Sequence, residues 1–551
     1  MFIKKSWCIR KGKKYVTYQI AESYRPSKGK NPRTKILATI THLPKTLIDK
    51  IAILLKSPDA SIVSDLSSFF KESYVFSPIL FLYLFAKRIG IVDCLRSIPE
   101  KARILLIAVI LNRILEPRSK LGSVSWVKKT AFPILFGIEK NKLSVNSIYK
   151  AMDILCRRMD KVLDNFFQRN RKDTLLLLYD ITSIFFEGKG PKELARYGYS
   201  RDKRPENPQI LLSLVLNEEK MPIYFDLLSG NISDKKTVIP LIKRLRERFN
   251  LSKSIFIGDR GMVSIENLEF LEDEGIDYIV ALTHKGAREL IFKKGIQIEL
   301  FDRRIPVTIY EEEGEGKKKR YILCGSEYRK EHEREALEYL LKKGRESLEA
   351  VADMVEKGRL KDPIKVIRRA QKKLTEACAE NFYEFKYEDG RFEIIEKKEL
   401  IEKARRLCGY YILKTTVQDM EEREIEAHYK GLKFVEDAFR QLKELVEIRP
   451  IFHWRERRVK VHVFLCILAQ TVVNKIRDVL KGAGWLNEER GRSFSYFLDS
   501  LHQISVGIFE IEKLRKEVIT QLKEEQREII RIFGMEEKVF VNFDEARRAV
   551  D

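Results

Sequence analysis

Residues 174–186 read TLLLLYDITSIFF, a nearly unbroken apolar run with one carboxylate, Asp180, in its middle. Such a run reads as a strand covered on both faces. A chain holding it must supply layers of structure above and below, which points to a mixed α/β sheet. Downstream, QILLSLVLN and MPIYFDLLSGN are joined by EEK and predict an antiparallel hairpin. A helix is expected near DKKTVIPLIKRLRERF, then the short strand SIFIG, a helix near SIENLEFLEDEG and a strand DYIVALT over 277–283. The order is three strands, helix, strand, helix, strand.

The strand SIFIG stops abruptly in FIGDRGM (256–262), on Asp259 followed by Arg260 and Gly261. Open α/β sheets place their sites at such strand ends, although an acid here also fits a simple cap on the following helix. A third acid sits in HYKGLKFVEDAFRQLKELVEIRP (428–450), read as part of one helix from about 421 to 447. Residues three and four apart share a helix face. Val435, Ala438, Phe439, Leu442 and Val446 make an apolar stripe that should face the core. Lys433, Glu436, Arg440 and Lys443 make a second stripe, one acid among three cations. That stripe fits a solvated face held by i,i+4 pairs. It also fits an acid that joins Asp180 and Asp259 to hold two divalent ions, with the cations set beside DNA phosphates.

The chemistry explains why carboxylates would be needed. Attack on a phosphodiester at neutral pH requires an activated water or hydroxyl and a clamp on the leaving oxygen, which two ions roughly 4 Å apart supply. Mg2+ or Mn2+ prefers oxygen donors, and no His or Cys lies near these acids at ligand spacing. Asp437, beside Glu436, points to another face and is not expected to be a ligand. His453 and His462 match no zinc motif and are read as structural or DNA-facing. Tyr429 and Trp454 are candidates for stacking on a flipped or frayed base, with Trp454 more simply read as a buried aromatic.

Charge favours a nucleic-acid partner. Lys and Arg total 105 against 81 Asp and Glu, a formal +24, and such an excess implies a polyanion, nucleic acid before membrane. The seven dispersed cysteines form no Cys-x-x-Cys pair, which argues against a zinc knuckle or disulfide framework and fits a reducing cytoplasm. The start, MFIKKSWCIRKGKKY, lacks the apolar core of a signal peptide, and ILLIAVIL (104–111) is too short to span a bilayer.

Elsewhere, KKYVTYQIAESYR and TKILATI, joined by PSKGKNPR, predict a β-hairpin with a basic turn. Residues 60–170 have helical rhythm with serine caps. Residues 285–408 interrupt the sheet with a hairpin (IPVTIY and RYILC) and long charged helices. The tip GEGKKK lacks the spacing of a phosphate-binding loop. A last helical region is expected from 458 to about 535.

On these residues the chain resembles the DDE transposases of bacterial and archaeal insertion sequences, in the subgroup with a Tyr-Arg-Glu-Lys signature on the third-acid helix. The signature falls on Tyr429, Leu432, Glu436 and Lys443, with Leu432 in place of the Arg; Lys433 or Arg440 would have to substitute. YDITSIFFEG, the YGYSRDKRPENPQ loop, PIYFDLLSGNISD, FIGDRGM and RPIFHW also resemble the family, in its order, over about residues 1–480.

The resemblance implies a ribonuclease-H-like mixed sheet interrupted by an α+β insertion domain, with a small β-hairpin plus helical N-terminal region and a helical C-terminal region. The expected divisions are 1–60, a basic module; 61–170, a helical DNA-binding region; 171–284 and 409–480, the two catalytic parts; 285–408, the insertion; and 481–551, the C-terminal region. It implies Asp180, Asp259 and Glu436 as catalytic ligands of two Mg2+ or Mn2+ ions. Tyr429, Lys433, Arg440, Lys443 and Arg260 would contact DNA. Implied partners are double-stranded transposon ends and target, bound by a homodimer on the nucleoid of a prokaryotic cytoplasm, with no membrane. A nuclease without strand transfer and a catalytically silent, transposase-derived repressor are the alternatives.

Overall fold

The computed structural model describes residues 1–10, 13–25, 31–56, 69–170, 176–248, 254–283, 286–287, 290, 306–312, 317–487, 489–511 and 514–550. The basic turn at 26–30, the divisions expected near 60, 171 and 284, and the hairpin tip at 313–316 lie outside them. The chain divides into two compact units, residues 1–74 with 505–520 and residues 75–504 with 521–551.

In the first unit, β1 (Phe2–Arg10), β2 (Lys13–Tyr24) and β3 (Arg33–Thr39) form an antiparallel sheet in that order. The expected hairpin is β2–β3, and FIKKSWCIR adds a third strand along the other edge of β2. A second sheet has the order β16-β15-β4, from β4 (Phe70–Val75), β15 (Ser505–Ile511) and β16 (Leu514–Ile519). This corrects the wholly helical reading of the C-terminal region: Val506 and Ile508 are buried at a period of two, the signature of a strand rather than a helix.

The second unit is organised by an eight-stranded sheet in the order β10-β11-β14-β9-β8-β5-β6-β7. Toward one edge are β5 (Leu176–Phe185) and β6 (Gln209–Leu216), with β7 (Pro222–Ser229) as the edge strand outside β6. On the other side lie β8 (Ile255–Gly258) and β9 (Asp277–Ala281). β6 runs antiparallel to β5 and β7, whereas β5, β8 and β9 are parallel. Every residue of β6 is buried, as a strand covered on both faces requires.

The hairpin β10 (Val307–Glu312) and β11 (Lys319–Gly325) completes this sheet instead of belonging to a separate insertion. It joins through β14 (Tyr410–Thr415), because Tyr321, Leu323 and Ile412 form a common apolar cluster. The remainder of the expected insertion has its own core. Helices Glu327–Glu356, Pro363–Ala377 and Lys398–Leu407 pack with the hairpin β12 (Tyr383–Glu388) and β13 (Arg391–Glu396) around Leu348, Val366, Ala370 and Phe382.

The Glu456–Gly482 helix is the spine of the unit. It is long and apolar enough to cross a membrane by composition, but 83% of its apolar window is buried inside the protein. Phe464 stacks on Phe225 of β7 at 5.9 Å. The helices Glu100–Leu115 and Val145–Arg157 pack against the same spine. The second of these begins with a reciprocal cap between Ser144 and Ser147, which satisfies otherwise orphaned backbone donors.

The single helix expected over 421–447 is two helices, Glu422–Lys430 and Leu432–Glu444, broken at Gly431. The backbone is tight there: a Cβ on Gly431 would lie 2.8 Å from the His428 carbonyl oxygen of the preceding turn, and in ordinary contact, 3.4 Å, with the Leu178 side chain of β5. The second helix packs on β5, β6 and the spine. Gly431→Ala is therefore expected to destabilise the unit by about 1–3 kcal/mol through overpacking, read as a lowered midpoint in thermal unfolding.

Candidate active site

β5 and β8 are in parallel register with Tyr179 opposite Gly258. The next residue of each chain is an acid, so this register alone sets Asp180 beside Asp259. Asp180 is partly buried within β5, while Asp259 is exposed just beyond β8. The 3-10 turn Arg260–Met262 follows at once and carries the backbone away from the sheet. Glu436 comes from the exposed side of the Leu432–Glu444 helix, whose apolar stripe Val435, Ala438, Phe439 and Leu442 is buried as the spacing predicts. The three acids line one open cleft of about 430 Å³.

The acids sense one another. Burial pushes the Asp180 carboxyl up to about 7; Asp259 and Glu436 add to the rise, while the Ile181 N–H and Arg201 oppose it. The Ile181 N–H donates to Asp180 Oδ1 at 2.7 Å. Glu436 is also raised, by burial first, then by Asp259 and Asp437, against the pull of Lys433. Burial pushes the Tyr429 phenol up to about 12, and Asp259 and Glu436 contribute again. Its ring centroid lies 5.8 Å from that of Tyr411. Tyr429 thus stands beside the acids.

Among the described residues, none of the three acids forms an ion pair. Three carboxylates facing one cleft with no cation paired to them leave charge that a divalent ion would neutralise, and an all-oxygen donor set suits Mg2+ or Mn2+. In these side-chain positions, no three acid, His or Cys groups among the described residues converge on a single ion. The acids therefore border a shared space rather than meet at one point.

The cations divide into two kinds. Lys433 and Arg440 are exposed, with Arg440 paired to Asp437 at 2.6 Å. Arg260 lies close enough to Tyr429 to oppose the rise of its phenol. Lys443, by contrast, is nearly buried and its Nζ lies 2.7 Å from Asp202 Oδ1. Leu432, at the signature Arg position, is buried.

The cleft residues not singled out from the sequence include Arg201, Asp202, Asp234 and Arg449. Arg201 pairs with Asp234 at 2.8 Å, and its N–H donates to Ser183 Oγ of β5. Arg449 pairs with Asp202 at 2.5 Å. Their signal was present in the charged loop YGYSRDKRPENPQ, at the end of PIYFDLLSGNISD and in the start of RPIFHW. A loop gives no periodicity, however, so the sequence does not say which of its charges turn inward.

Trp454 corrects the expectation of burial, being 83% exposed. Ile451 takes the inward place by pairing with β5: its N–H donates to the Phe185 carbonyl, and its own carbonyl accepts from the Glu187 N–H. Phe452 and Trp454 are left facing outward. His462 is buried, with a ring nitrogen 3.0 Å from the Ile448 carbonyl oxygen and another 3.2 Å from Lys120 Nζ. His453 packs 5.5 Å from it, ring to ring, and burial pushes His453 down to about 3. Of the two roles read from sequence, structural or DNA-facing, the burial of His462 fits the structural one.

A family model described as a transposase DDE domain matches residues 172–472, more than half of the chain. Among solved structures, a piggyBac transposase synaptic complex with hairpin DNA is similar, at 10% identity and a TM-score of 0.38, over 77% of this chain and 79% of the other. No curated protein matches the chain.

The Asp180 shift predicts a pH dependence. A carboxyl whose folded-state value is raised costs stability when ionised; the cost is absent below about pH 4, develops as pH rises toward 7 and is complete above it. With chelator present, Asp180→Asn should melt a few degrees above wild type at pH 8. The difference should shrink as pH falls toward 5, measured by thermal unfolding across a pH series.

Proposed function

Because the chain belongs to the transposase DDE-domain family, we propose that it is a transposase that cuts the ends of a DNA element and joins them to target DNA in the cleft between Asp180, Asp259 and Glu436. The observation that carries this reading is the convergence of those acids, from a strand centre, a strand end and a helix, on one cleft. The order β7-β6-β5-β8-β9, with β6 reversed, supports a ribonuclease-H-like arrangement of the central strands.

Asp180, Asp259 and Glu436 would hold two Mg2+ or Mn2+ ions, which supply when bound a water of lowered pKa and a clamp on the leaving oxygen. The chain's own residues do the rest. Lys443, Lys433, Arg440 and Arg260 offer charge-assisted contacts to the DNA backbone, and Tyr429 packs against the strand beside the acids. A nick at each end frees a 3′-hydroxyl, and the same cleft orients that hydroxyl for attack on the target strand. Inverted repeats would be bound through the basic N-terminal module and helical region, by a dimer assembled on paired ends at the nucleoid.

One observation favours a second reading. Leu432 is buried where the family signature carries a cation, which suits a silent DNA-binding repressor that has lost its cutting activity. Divalent-metal-dependent cleavage of end DNA excludes the repressor, and joined products from pre-cut ends and a target plasmid exclude a nuclease without strand transfer.

Asp259→Asn should lower cleavage by at least about a thousand-fold, as the loss of several kcal/mol of metal-based stabilisation requires. Binding of end DNA should be nearly unchanged by gel shift. Equal loss of binding and cleavage counts against a metal-holding role.

A further inference from the structure

The cleft wall carries an ion triad that the metal chemistry does not need. Lys443 Nζ and Arg449 Nη1 both approach the same oxygen of Asp202, at 2.7 and 2.5 Å. The Asp202 side chain is only 3% exposed, and those of Lys443 and Arg449 are 12% and 25% exposed. The other Asp202 oxygen, Oδ2, is buried without a hydrogen-bond partner. A buried carboxylate left half-satisfied is expensive, so charge rather than hydrogen-bond completeness holds it there. Two cations that would otherwise repel are drawn to one point, and the triad retains a net charge of one positive unit.

The loop that delivers Asp202 is anchored just before it. Arg201, its neighbour, is tied to Asp234 and to Ser183 of β5. Upstream, Gly198 sits so close to Gly230 that a Cβ would fall 2.1 Å from the Gly230 carbonyl oxygen. Arg449 is further held over the Phe185 ring, at 5.8 Å from its centroid. All three members of the triad line the same cleft as Asp180, Asp259 and Glu436.

We propose that Asp202 is a positioning residue that pairs Lys443 with Arg449 to make a two-cation phosphate seat on the cleft wall. Arg449 thereby joins Lys443 as a DNA-contacting cation, and Asp202 acts only through them. The inference rests on the DNA-processing reading of the cleft. Its ligand is a backbone phosphate of a DNA strand lying in the cleft, and it requires no particular sequence.

The test turns on sign. Asp202→Asn adds one positive unit to the protein, so a bystander carboxylate would make DNA binding tighter on removal. A positioning carboxylate makes it weaker. Binding of a short duplex of arbitrary sequence is measured with chelator present, over a series of salt concentrations, for wild type, Asp202→Asn, Lys443→Met, Arg449→Met and the combined variants. Asp202→Asn is expected to bind about tenfold more weakly, with the slope of log affinity against log salt reduced by about one. It should add nothing to the Lys443→Met/Arg449→Met pair, the coupling that a double-mutant cycle isolates. Binding as tight as wild type or tighter, or full additivity in the cycle, overturns the proposal and leaves the transposase reading standing. Wild-type protein that binds no DNA overturns both. If Asp202→Asn alone fails to fold, the triple variant, which removes all three charges together, carries the test. It should bind as weakly as the Lys443→Met/Arg449→Met pair, and wild-type affinity in it refutes the phosphate seat.

Discussion

A carboxylate in the middle of a buried strand is costly, and the second unit is arranged around that cost. Asp180 lies in β5 with Ile181, Ile184 and Tyr179 buried around it, so its charged form is penalised by desolvation. The structure offsets this in part with the Ile181 N–H and with Arg201. It then adds two further acids instead of a direct counter-ion. A fold selected for stability alone would place an apolar residue there. The strain at Asp180 is tolerable only because the parallel β8 ends one residue earlier in register, which opens the sheet to the cleft at that point.

The charges around the cleft are sorted accordingly. Arg201 with Asp234, Asp202 with Lys443 and Arg449, and Arg440 with Asp437 all find partners. Asp180, Asp259 and Glu436 stand apart from these pairs. Unpaired negative charge is thus gathered at these three acids, while the cations Arg201, Lys443 and Arg449 in the same cleft are held by Asp234 and Asp202. Such an arrangement separates the place where a cation is welcome from the place where a phosphate is welcome. An overall charge of +24 favours a polyanionic partner, and under the proposed function this local sorting would set how a strand lies in the cleft.

Much of this was legible in the sequence where periodicity carries information. The apolar runs around Asp180 and Asp259 identify their strands, and the i,i+3,i+4 pattern around Glu436 identifies both its buried stripe and its exposed one. Each acid was therefore assignable to an element. Reading failed where register or tertiary pairing decides. The hairpin β10–β11 looks like any hairpin until β14 supplies an edge for it. The strands at 505–519 are short and lie between helices. Gly431 separates two helices that the i,i+4 pattern runs together as one. Trp454 is exposed because Ile451, three residues earlier, wins the position against β5. Asp202 and Arg449 sit in segments with no period at all, so their inward turn depends on partners the sequence cannot rank.

The buried Leu432 gains a physical meaning from this geometry. It is the first residue after the break at Gly431, where the backbone is tight, and the position faces the interior. An arginine there would have to carry its charge out of an apolar contact, at a desolvation cost an exposed cation does not meet. Of the two sequence candidates to replace that cation, Lys433 is exposed beside Glu436 and Arg440 is already paired with Asp437. Arg449 differs from both: it is anchored by a buried carboxylate, lies over the Phe185 ring and lines the cleft. A cation supplied from beyond the C-terminal end of the helix would leave its first turn, with Leu432, free to pack.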